Sequence, residues 1–191
     1  MATLGVVVVA IALVALIAAG AFDPRPLGPL AGSAQPGPLS LLGRSEMITS
    51  QLPPWSAAPA SYSLRLTAAH AAGETDSGYG LTLGNKLDAL VVAVSPLGYV
   101  AVWQTADGGE PHYLLPWQPW PHVRAGAAPN EIGLDVDNSG RHVTARVNRE
   151  LLWQGEVALP PGGVALWLGS FGGPVTVEFQ TLDWFARLEE G

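Results

Sequence analysis

The chain has 191 residues, no cysteine, 13% charged residues and a net charge of −7. Without cysteine it carries no disulfide framework, thiolate metal site, iron–sulfur cluster or thiol nucleophile. Nine basic residues against sixteen acidic ones argue against nucleic acid, and against an anionic membrane surface, as electrostatic partners.

The run from Leu4 to Phe22 is 19 residues without a charge. As a helix it spans about 28 Å, close to the roughly 30 Å hydrocarbon core of a bilayer. This predicts a transmembrane anchor over residues 1–22, with a signal peptide ending at Ala19-Gly20-Ala21 as the competing reading. No Lys or Arg precedes the run, which weighs against the signal peptide. Only Arg25 and Arg44 follow closely, so charge asymmetry scarcely sets orientation.

Residues 23–59 carry eight of the 17 prolines and read as a linker. Leu39, Leu41, Leu42, Met47, Ile48 and Leu52 make this stretch too apolar for a free spacer. It reads equally as a strap along a partner, with Leu41, Leu42 and Met47 as interface candidates. Part of it could instead supply a first strand.

From residue 60 to 191 the pattern has period two. Tyr62, Leu64, Leu66 and Ala68 alternate with polar residues, as do Ile132, Leu134 and Val136, then Val143, Ala145 and Val147, then Val175, Val177 and Phe179. Each run places one face on a core and one in water. Leu90 to Val94 is apolar on both faces and predicts a centrally buried strand. Glycine- and proline-rich turns separate the runs, and no 3.6-residue period follows residue 60. The expected fold is an all-β antiparallel sandwich.

Little in this domain points to catalysis. A retaining glycosidase needs two carboxylates about 5–5.5 Å apart. Within the alternating runs only Asp135-Val136-Asp137 has the one-strand spacing, and its alternation faces the two carboxylates toward solvent. The same stretch through Ser139 and Gly140 mimics half of a calcium loop, making Asp135, Asp137 and Ser139 weak calcium candidates. The closing acidic ligand falls on Arg146, a cation. His70, His112, His122 and His142 have no ligand-spaced partner. No cofactor is expected. The most unusual segment is Pro116-Trp117-Gln118-Pro119-Trp120-Pro121. Trp117 and Trp120, with Tyr113, suit a protein interface or sugar stacking, against a plain role in closing one end of the core.

The order of segments resembles the concanavalin A-type jelly rolls, in the laminin-G-like and 3-keto-disaccharide-hydrolase-like branch of bacterial envelope proteins. The residues that carry it are Asp76 to Leu81, Val91 to Tyr99, Asn130 to Val136, Val143 to Leu152, Gly163 to Leu168 and Val177 to Phe179. Arg149 stands where the family has the glycine of an Asn-Gly hairpin, which implies a different turn. Gln180 to Asp183 replace the family's acidic and Asn tail. The resemblance implies a jelly roll and a body on the periplasmic or extracellular side. Together these readings predict a single-pass, non-catalytic accessory subunit of a larger membrane or envelope complex, contacting other protein subunits. The alternative is a lectin-like carbohydrate-binding module, and the third choice a glycoside hydrolase.

Overall fold

The computed structural model describes residues 23–51, 61–84, 87–137, 141–158 and 163–186, together with Val6, Ile11, Val14 and Ala15. The expected anchor over 4–22 therefore lies almost wholly outside the described residues. Its four described positions are helical. Among the described residues no helix is long and apolar enough to cross a membrane.

Thirteen strands among the described residues form two antiparallel sheets. The first sheet runs β1 (Leu30–Ala34), β13 (Val175–Ala186), β4 (Tyr62–Gly73), β9 (Asn130–Val136), β10 (His142–Val147) and β11 (Glu150–Glu156), with β2 (Gly37–Leu41) also on β13. The second runs β3 (Ser45–Gln51), β12 (Gly163–Ser170), β5 (Ser77–Gly84), β6 (Ala89–Val94), β7 (Tyr99–Thr105) and β8 (His112–Pro119). The inward members of the alternating runs meet between the sheets. Leu64, Leu66, Ile132, Leu134, Val177 and Phe179 of the first sheet share a core with Tyr79, Leu81, Leu90, Val92, Leu166 and Leu168 of the second. Burying such side chains contributes about 1.5–3 kcal/mol each, and this layer holds the sandwich closed.

Across residues 30–51 the linker and strap readings of 23–59 give way to the third one, strands supplied to the domain. β1 lies along Leu182 to Phe185, and β2 along Val175 to Phe179, so together they form one interrupted edge strand on β13. β3 then closes the edge of the second sheet on β12. The prolines are tolerated because an edge strand need not donate on its outer side. Composition concealed this, since Pro36 and Pro38 mark a protected edge here rather than a free chain. The strap residues follow suit. Of the three interface candidates, Leu41 is a core residue at 7% exposure, Met47 packs against the same core, and Leu42, at 93%, faces out.

The β10–β11 turn is also corrected. Asn148 and Arg149 have φ of 51° and 75°, and Val147 pairs directly with Glu150. Positive φ at both central residues is the type I′ geometry that Asn-Gly would adopt. The turn is therefore kept, with an arginine in the strained position. Asn148 is locked from both sides. Its Oδ1 accepts from Glu131 N at 2.9 Å, and its Nδ2 donates to Asn130 Oδ1 at 2.8 Å. Asn130 is fully buried, donates to the Tyr79 hydroxyl at 3.0 Å and accepts from Arg124 N at 2.8 Å. This network joins β9, the hairpin turn and the segment after β8.

Burial pushes the Tyr62 phenol up to about 12. Below pH 10 both folded and unfolded chains hold that proton. Above pH 10 the unfolded chain ionises while the folded one does not, so stability falls as pH rises from 10 to 12. The expected loss from this group is on the order of 2 kcal/mol. Denaturant titrations at pH 9 and 11.5 would detect it, and Tyr62→Phe should flatten the difference.

Candidate functional site

The outer faces of the two sheets differ in kind. The first sheet presents Arg65, Glu131, Asp135, Arg146 and Asp183. The second presents rings. Trp103 of β7 and Trp167 of β12 lie on the side of the sheet away from the core, at 5% and 3% exposure. They meet in an edge-to-face contact with centroids 5.0 Å apart. Trp117 of β8 packs on Trp103 at 6.2 Å, Tyr113 on Trp103 at 6.0 Å, and Phe171 on Trp117 at 6.0 Å. Offset and edge-to-face pairs of this kind contribute about 0.5–1.5 kcal/mol each beyond their area.

Small residues let these rings lie down across strands that are not neighbours. Ala93 and Ala101 sit beneath the cluster. A Cβ at Gly78 would come within 2.9 Å of the Trp117 ring and 3.0 Å of the Trp167 ring. Gly169 has no room for a Cβ beside Trp167 either. The aromatic layer therefore rests on glycine and alanine. It also explains why β6 is apolar on both faces: Leu90, Val92 and Val94 face the core, while Ala89, Val91 and Ala93 support the rings.

The layer is covered only in part. Trp103 and Trp167 form its floor. Trp117 is half-buried, and Tyr113 and Phe171 are 45% and 41% exposed. Tyr99 adds a further exposed ring at the end of β7. At the rim, the indole Nε1 of Trp167 donates to Glu46 Oε2 at 3.2 Å. Glu46 is itself exposed, so its carboxylate keeps acceptor capacity beside the rings. Flat apolar surface with a polar acceptor at its edge is suited to a ligand that has both C–H faces and hydroxyl groups.

The sequence-predicted residues divide on this geometry. Trp117 and Tyr113 belong to the layer. Trp120 does not: it packs against the core between the sheets, and its backbone N–H donates to Gly98 O at 2.9 Å. Asp135 receives Arg65 Nη2 at 2.7 Å and lies 3.5 Å from Arg146 Nε, so cations already face its two oxygens. Ser139 lies outside the described residues. No cluster of three or more His, Asp or Glu suited to a metal occurs among the described residues.

Trp103, Trp167, Phe171 and Glu46 were not anticipated. The available signal was the apolar run on both faces of β6. A strand packed on one side by a core needs a second cover, and the other strands of its sheet must supply that cover.

No family model and no curated sequence matches the chain. Solved structures do resemble it. The carbohydrate-binding module CBM66 from Bacillus subtilis aligns with a TM-score of 0.54 at 11% identity, covering 83% of this chain and 92% of that one. The CBM40 of the Ruminococcus gnavus IT-sialidase, bound to α2,3 sialyllactose, aligns at 0.53 with 16% identity, covering 84% and 95%. A β-fructofuranosidase from Schwanniomyces occidentalis aligns at 0.52 with 8% identity, where the match takes 33% of the longer enzyme. At these identities the likeness defines the fold. The chain folds as a jelly-roll β-sandwich.

Proposed function

We propose that this protein is a non-catalytic carbohydrate-binding module that takes its glycan on the aromatic face of the second sheet. The observation that carries the reading is the layer of Trp103, Trp117, Trp167, Tyr113 and Phe171 on a sheet surface that would otherwise face water. In this reading Trp103 and Trp167 hold the floor flat. Trp117, Tyr113 and Phe171 stack against sugar C–H faces, and Glu46 accepts a hydroxyl. The sharing of this fold with carbohydrate-binding modules supports it. It replaces an accessory-subunit role as the preferred function, because the strap residues proposed for a protein partner, Leu41 and Met47, pack on the domain itself. The reading keeps residues 4–22 as the anchor, with the sandwich outside the cytoplasm. A glycan-array screen of the full chain tests it: binding to a defined glycan class supports the module, and silence across neutral and acidic glycans would overturn it.

A further inference from the structure

The opposite face of the sandwich gathers most of the positive charge of an acidic protein. Residues 23–29 cross the outer surface of the first sheet. Ala186 N donates to Pro29 O at 3.1 Å, and Leu27 N donates to Ser63 Oγ at 2.9 Å. Farther along, Asp23 forms an ion pair with Arg149. Beneath this segment is a cleft of about 320 Å³. It adjoins a second of about 410 Å³ through the shared residues Glu131 and Arg149. Five of the nine basic residues, Arg25, Arg65, Arg124, Arg146 and Arg149, line the two clefts, against three of the sixteen acidic ones.

The guanidinium groups there are engaged to different degrees: Arg124 donates to Pro129 O at 3.3 Å. Arg65 donates to Leu64 O, Leu134 O and Asp135 and is fixed. Among the described residues Arg146 contacts Asp135 as an ion pair at 3.5 Å, and its buried Nε has no hydrogen-bond partner there. Arg149 is 58% exposed in its side chain and has Asp23 as its ion-pair partner. It also holds a φ of 75° where glycine would be unstrained. Non-glycine residues held in that region cluster at functional sites. Glu131 and Asp183 line the cleft as well, and Asp183 is engaged by Ser33 Oγ at 2.5 Å.

We propose that this cleft is a second ligand site, specific for a carboxylate-bearing sugar, and that the Asp23 carboxylate is its built-in occupant. A guanidinium matches a carboxylate through two parallel hydrogen bonds. Asp23 shows where such a group sits. Phe185 lines the same cleft and offers a ring for the sugar's C–H face. The volume suits a monosaccharide-sized unit. An incoming carboxylate exchanges with Asp23, so the segment before β1 tunes affinity at the site. The inference is independent of the aromatic face, which lies on the other sheet.

Calorimetric titration of the full chain with glucuronic acid, glucose and inorganic sulfate tests this. Glucuronate should bind, and glucose should not bind at this site. Asp23→Asn should tighten glucuronate by about 2- to 5-fold, the scale set by a surface ion pair. Arg149→Gly should weaken it at least about 10-fold, while the folded protein keeps or gains thermal stability because glycine accepts the positive φ. Glucuronate affinity unchanged by both substitutions would overturn the proposal. So would sulfate binding as tightly as glucuronate, which would reduce the cleft to a general anion site. Neutral-glycan binding on the aromatic face should be unaffected by either variant, so failure of one site leaves the other testable.

Discussion

Trp103→Ala is expected to destabilise the fold by about 3–5 kcal/mol, the cost of removing a large buried aromatic side chain. For a chain of this size that lowers the melting temperature by roughly 10 °C or more. The reason is positional. Trp103 stands opposite Val91 on the neighbouring strand and touches Trp167, Trp117 and Tyr113. Its loss opens the cover over Val91, Ala93 and Ala101 and leaves Trp167 without its edge-to-face partner. Trp103→Phe should recover part of the loss, since a phenyl ring still shields Val91. Thermal melts with circular dichroism would measure both. A change below about 1 kcal/mol for Trp103→Ala would mean that the aromatic layer is not a structural element, and a preorganised binding floor would lose its basis.

The second large effect is on binding. Trp117→Ala should weaken glycan affinity by at least about 2 kcal/mol, roughly 30-fold, as truncation of an aromatic anchor does at other recognition surfaces. Its effect on stability should be smaller than that of Trp103→Ala, because the Trp117 ring is only half-buried. Trp120→Ala supplies the contrast. That ring packs against the inner core, so its removal should cost stability and leave affinity nearly unchanged. Titration of all three proteins with the best array glycan would separate the roles. Equal losses from Trp117→Ala and Trp120→Ala would point to a general loosening of β8 rather than to stacking.

The sandwich itself was readable from alternation, because an inward residue every second position is what a half-buried strand requires. Leu64 and Leu66, or Val143 and Ala145, announced their face directly. Residues 30–51 were legible only as one alternative among three, because proline is read as a breaker, while at an edge it serves to block further pairing. The aromatic face was half legible. Trp117 and Tyr113 stood out as a rigid aromatic cluster, and β6 signalled a second covered face. What could not be read was the strand order β12-β5-β6-β7, which brings Trp167 to Trp103 across 64 positions of sequence. Nor did the sequence reveal that Gly78 and Gly169 are floor rather than turn. The arginine cleft escaped for the same reason. Arg65, Arg146 and Arg149 are each ordinary outward residues, and only the pairing of β4, β9 and β10 collects them.

The central claim is that the second sheet's aromatic face is the glycan site. The most direct measurement is a two-dimensional NMR spectrum of the indole Nε1–H groups, recorded as the best array glycan is added. The account predicts that the signals of Trp117, Trp103 and Trp167 shift or broaden in step with binding. Those of Trp153 and Trp184, which pack on the core and the first sheet, should stay in place. Saturable binding that leaves the Trp117 signal unmoved would contradict the account.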